Sequence, residues 1–177
     1  GYVCYIGSNA SAEVEDVIFR NNTMRDSGGS GVIYANGATS AKVKNCAFIG
    51  NSGYTTGAIR IYKNCEVVNC TFADNRTNFT TPANARGGAV YMQEVASKKT
   101  ILTNCVFFAD HAWYDTTPMA PEVYYSSINA TLTNCFFDCA WDAKVPAIGK
   151  GAISITELEF TDIYSGDYRP HLNSKLI

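Results

Sequence analysis

The chain has 177 residues, 46% hydrophobic and only 17% charged, which is enough apolar material for a single domain with a buried core and unlike a disordered chain. Its formal net charge of −2 supplies no electrostatic footprint for nucleic acid or an anionic membrane. No apolar run reaches the roughly 20 residues of a membrane span, and no charged start followed by an apolar stretch marks a secretion signal.

In chain order two short phrases alternate. One reads VCYI at 3–6, SGVIYA at 30–35, GAIRI at 57–61, GAVYM at 88–92, EVYYS at 122–126 and GAISI at 151–155. The other centres on Asp16, Asn45, Asn69, Asn104 and Asn134, with Val or Leu two residues before and Phe three residues after, as in NCAF, NCTF, NCVF and NCFF. The spacings of 29, 24, 35 and 30 residues are those of a solenoid. Strand-length apolar runs bounded by Gly, Asn, Ser and Thr, without a sustained 3.6-residue period, place the chain in the all-β class.

Stacking equivalent segments as parallel strands about 4.8 Å apart lets each turn cover the apolar face its neighbour cannot bury alone. A coil that returns to one place requires one residue type at each corner. Asn tolerates left-handed backbone and can hydrogen-bond its counterparts above and below, so the Asn column is expected to be a corner ladder. Val or Leu, Cys and Phe then line the interior. A second polar column, Asn22, Asn51, Asn75 and Asp110, is expected to mark the next corner.

The paired phrases F-x-x-N (FRNN, FIGN, FADN) and GGAV or TGAI resemble the repeats of chlamydial polymorphic outer-membrane proteins. More broadly they resemble right-handed parallel β-helices of the pectate-lyase-like superfamily. The closing GDYRPHLNSKLI is similar to the last segment of surface β-helix proteins from gut bacteria. The resemblance implies a single-stranded right-handed parallel β-helix, or β-solenoid, of five to six coils over residues 1–155, with an irregular cap at 156–177. It implies little about activity, because such helices serve as lyases, hydrolases, adhesins and tailspikes alike. The first rung's strand edge leads us to expect further coils or another subunit covering it.

Seven cysteines leave at least one unpaired. Cys46, Cys70, Cys105 and Cys135 share a column whose Cβ spacing, about 4.8 Å, exceeds the usual range for a bridge; they are expected to be small buried apolar residues. No cysteine and histidine pattern points to zinc, and no metal or cofactor is expected. Six N-x-[ST] sequons, at Asn9, Asn21, Asn69, Asn75, Asn78 and Asn129, follow from Asn- and Thr-rich corners. On this reading Asn69 is buried in its ladder, which conflicts with glycan attachment.

In the GAIRI-type strands the inward positions are expected to be Cys4, Ile33, Ile59, Val90, Tyr124 and Ile153. The outward column is then Tyr5, Tyr34, Arg60, Tyr91, Tyr125 and Ser154, with Asn36, Tyr62, Gln93 and Ser127 alongside. Stacked Tyr and Arg with amide partners make a candidate glycan-binding strip, since rings cover apolar sugar faces and amides pair with hydroxyls. The competing reading is an aromatic ladder that stabilises exposed strands or lies under a loop.

A polysaccharide hydrolase needs two carboxylates roughly 5 to 9.5 Å apart, and the strip contains none. The alternative catalytic candidates are Asp110, His111 and Asp115 in FADHAWYD, with Glu94 and Glu122 flanking the strip; a lyase would need a carboxylate cluster for calcium, and Asp74, Asp110 and Asp138 share no column. The expectation is therefore a non-catalytic, carbohydrate-binding, adhesin-like module, secreted or on a bacterial cell surface. A carbohydrate-active enzyme and a purely structural solenoid are the alternatives.

Overall fold

The computed structural model describes residues 2–25, 31–78, 86–93, 100–110, 123–125, 130–137, 160–162 and 167–170. Three five-stranded sheets run along it, and every pairing within them is parallel and joins one repeat to the next. The first contains Cys4–Ile6, Ile33–Ala35, Ile59–Ile61, Val90–Met92 and Val123–Tyr125. The second runs from Ser11–Glu15 to Ala130–Thr133, and the third from Ile18–Arg20 to Phe136–Phe137. Ser52–Gly53 and Arg76–Thr77 add a short parallel pair, so these turns have a fourth side. Five rungs of the solenoid lie within the described residues; the GAISI copy, with Ile153 and Ser154, lies outside them. Within the expected cap, Phe160–Asp162 pairs antiparallel with Asp167–Pro170.

The corners follow from backbone preference. Asp16, Asn45, Asn69, Asn104 and Asn134 all adopt left-handed backbone, φ 50 to 57°. Asn and Asp enter this region at lower cost than other residues with a Cβ. The amides form the expected ladder: Asn69 Nδ2 donates to Asn45 Oδ1 at 3.3 Å, Asn104 to Asn69 at 3.1 Å and Asn134 to Asn104 at 3.3 Å. This ladder is exposed, which corrects the expectation that Asn69 is buried.

The second polar column also departs from expectation. The left-handed residues there are Asn21, Gly50, Asp74 and Ala109, one position earlier. Asn51, Asn75 and Asp110 instead turn into the interior and are buried. Asn51 Oδ1 accepts from the backbone N–H and Nδ2 of Asn22, Asn75 Oδ1 accepts likewise from Asn51, and Asp110 Oδ1 accepts likewise from Asn75. The Nδ2 groups of Asn51 and Asn75 also donate to Phe19 O and Phe48 O. Each amide thus satisfies backbone groups that the tight turn removes from water. Asn75, rather than Asn69, is the sequon asparagine whose amide is sealed in the interior.

Between the corners the core is columnar. Val43, Val67 and Leu102 stack in the second sheet, and Phe19, Phe48, Phe72 and Phe107 in the third. Successive rings are 4.7 to 5.0 Å apart and nearly parallel, with interplanar angles of 3 to 13°. Cys46, Cys70, Cys105 and Cys135 are free thiols, as their column spacing leads us to expect, and Cys4 and Cys65 are free as well. Loss of solvent raises Cys65 to about 12 and holds Cys105 well above the ordinary thiol range.

Gly31 is held to glycine by both its backbone and its surroundings. It sits at φ +73°, and an added Cβ would lie 2.5 Å from Ala58 O in the next rung. Gly31→Ala is expected to lower stability by about 2 kcal/mol or more, read from urea unfolding, because left-handed strain alone costs 1–3 kcal/mol.

Candidate functional site

The outward residues of the first sheet follow from strand alternation. Ile33 and Ala35, Ile59 and Ile61, and Val90 and Met92 are buried, so the residue between each pair faces the other way. The register aligns Tyr5 with Tyr34, Tyr34 with Arg60, Arg60 with Tyr91, and Tyr91 with Tyr124.

The last step corrects the expected column, which held Tyr125. Aligning EVYYS on its missing glycine shifts that strand by one residue, and such a slip exchanges the two faces. The structure pairs Val123 with Val90 and Tyr125 with Met92, so Tyr125 falls in the row of Ile61 and Met92.

Arg60 is the centre of the strip. Its guanidinium carbon lies 4.7 Å from the Tyr34 ring centroid and 5.5 Å from that of Tyr91, and its Nη2 donates to Gln93 Oε1 at 2.7 Å. Arg86 approaches the same Tyr91 ring at 5.5 Å. A guanidinium held over ring faces gains from the quadrupole and is fixed in orientation. Toward the first rung, Tyr5 and Tyr34 meet edge to face at 5.6 Å, and Asn36 Nδ2 donates to the Tyr5 hydroxyl at 2.7 Å. Lys63 Nζ lies 5.6 Å from the Tyr62 ring. Burial raises the Tyr34 phenol above its ordinary range, with the Arg60 charge pulling the other way.

The strip is graded in exposure. Tyr5 is 53% exposed, Tyr34, Arg60, Tyr62 and Gln93 are half-buried, and Tyr91 is buried at 6%. Tyr91 was expected to face solvent. Its contacts with Arg60 and Arg86 make it a packed member of the ladder rather than an open sugar platform.

Two participants escape a reading of strand alternation. Tyr2 precedes the first strand, yet its ring stacks on Tyr5 at 5.5 Å and meets Tyr34 at 5.1 Å. Arg86 stands in the link before Gly87, whose φ of +62° begins the bend into the strand. The signal for Arg86 is its place beside the GGAV phrase, and for Tyr2 a third tyrosine within GYVCYI and its neighbouring rung.

Of the catalytic candidates, Asp110 is 4% exposed and is the last described member of the interior amide ladder, where its Oδ1 is taken up by Asn75. Asp74 occupies the exposed left-handed corner beside it in the repeat, a different column. His111, Asp115, Glu94, Glu122 and Asp138 lie outside the described residues, as does Ser127. Among the described residues no three His, Cys, Asp or Glu side chains converge as a metal-binding group, and no helix is long and apolar enough to cross a membrane. The charged groups of the second sheet, Glu13 with Lys44 and Lys42 with Glu66, pair on a solvated face.

No curated protein and no solved structure matches the chain. The family described as the right handed beta helix region matches residues 4–137, which takes in all five described rungs. With its repeats stacked in parallel register and this match over most of its length, the chain belongs to the right handed beta helix family.

Proposed function

We propose that this β-helix module binds glycans through the outward face of its Tyr/Arg strip, and that it does so without catalysis. The carrying observation is the ladder itself: Tyr5, Tyr34 and Arg60 stand in register on one sheet face, Tyr5 exposed and the other two half-buried, with Asn36 and Gln93 beside them. Phenol rings present apolar faces to sugar C–H groups, the guanidinium and amides offer fixed hydrogen-bond donors and acceptors, and ladder packing holds all of them in place before binding. Tyr5, Tyr34, Arg60 and Tyr62 make the contact surface; Gln93 orients Arg60, and Tyr91 supports it from below. An Asn-, Ser- and Thr-rich coat suits a secreted or cell-surface setting.

The described strip has no carboxylate pair, and Asp110 is used inside the core. Among the described residues of the strip no acid and base pair for hydrolysis stands together.

Glycan-array binding of the native chain, compared with Tyr5→Ala plus Tyr34→Ala, tests this reading. The expected result is array signal lost in the variant while its far-ultraviolet circular dichroism is retained. Equal signals from both proteins, or none from the native chain, overturn it. Release of reducing ends or unsaturated uronate from a polysaccharide panel would replace it with the enzyme reading.

A further inference from the structure

Three phenol rings crowd the first two rungs. The centroids of Tyr2 and Tyr34 are 5.1 Å apart, those of Tyr2 and Tyr5 5.5 Å, and those of Tyr5 and Tyr34 5.6 Å. Tyr5 is the most open, and Tyr2 and Tyr34 are half-buried. Parallel pairing brings Tyr5 and Tyr34 together from separate repeats, while Tyr2 reaches both from the link before the strand. Arg60 stands in register between Tyr34 and Tyr91, so the cluster is bounded on that side by a residue that cannot couple.

We infer that Tyr2, Tyr5 and Tyr34 form a site of oxidative tyrosine coupling, where a haem peroxidase using hydrogen peroxide joins two of the rings. Each of two phenols gives up one electron and one proton to the peroxidase, becoming a neutral phenoxyl radical. The unpaired electrons, delocalised onto the carbons ortho to oxygen, pair in one new carbon–carbon bond. The hydrogen on each joined carbon then moves to a ring oxygen and restores aromaticity. The protein loses two hydrogen atoms, and peroxide takes them up to leave as two waters.

The surroundings favour coupling within the chain. The Tyr5 hydroxyl oxygen accepts from Asn36, so its own proton is not used in that bond. Neighbouring rings already lie in contact, which replaces a diffusional encounter with an intramolecular one. A Tyr5–Tyr34 bond would fasten the first rung to the second, as a disulfide closes a loop. This inference does not depend on glycan binding.

The experiment treats the dilute full chain with haem peroxidase and hydrogen peroxide, then maps cross-linked peptides by mass spectrometry. The expected product is monomeric, lighter by two hydrogen atoms, and carries its cross-link between two of Tyr2, Tyr5 and Tyr34. Tyr5→Phe plus Tyr34→Phe, which keeps the rings and removes the phenols, loses most of the dityrosine fluorescence, whereas Tyr54→Phe retains it. Coupling spread over tyrosines outside the trio, coupling only between chains, or no cross-link in the native chain would overturn the assignment.

Discussion

Asn75→Ala is expected to lower unfolding free energy by about 3–5 kcal/mol, because it leaves several buried polar groups without partners, each costing about 1–3 kcal/mol. The amide accepts from Asn51 N and Nδ2 and donates to Asp110 Oδ1 and Phe48 O, all at 2.7 to 3.1 Å in the interior. The comparison that isolates burial is Asn69→Ala in the outer ladder. There the amide is exposed and water replaces the lost contacts, leaving chiefly the left-handed strain, about 1–2 kcal/mol. Urea unfolding of both variants reads the difference. Similar losses would mean that the inner ladder holds nothing the outer one does not.

Phe72→Ala should destabilise by a comparable amount, about 3–5 kcal/mol, the usual cost of emptying a buried phenylalanine site. Phe72 is fully buried and stacks on Phe48 at 5.0 Å and on Phe107 at 4.7 Å, so its loss removes two ring contacts as well as apolar burial. Phe72→Leu refills most of the space and is expected to cost about 1–1.5 kcal/mol. Phe19→Ala should be milder than Phe72→Ala, because Phe19 stands at the end of the described stack, against the ring of Phe48 on one side. Denaturant midpoints give the order, with Phe72→Ala lowest. Solenoid rungs are coupled mainly to their neighbours, so amide hydrogen exchange should show the rungs of Phe48, Phe72 and Phe107 opening first in that variant.

The sequence was most readable where one position repeats one chemical demand. The column of Asn45, Asn69, Asn104 and Asn134 announced left-handed corners because few other side chains accept that backbone, and the Phe three residues later announced an inward ring. Asn22, Asn51, Asn75 and Asp110 repeat equally well, but repetition does not say which side of the chain wall a polar group occupies. Corner amides bond one another while interior amides also bond backbone groups, and only the three-dimensional structure separates the two. Tyr125 was misplaced because the fifth rung lacks the glycine that anchors the others, leaving Val123 as the better guide to register. The packing of Tyr91 was unreadable for another reason: one of its contacts is Arg86, from outside the strand pattern.

Each rung lies over the one before it in parallel register, and the core columns and the Tyr/Arg strip both depend on that. Nuclear Overhauser contacts across rungs test this directly. The predicted result is a relay of contacts from Val43 to Val67 to Leu102, together with ring contacts from Phe48 to Phe72 to Phe107. Backbone contacts of antiparallel hairpins joining these segments, or contacts shifted by one residue throughout, would contradict it.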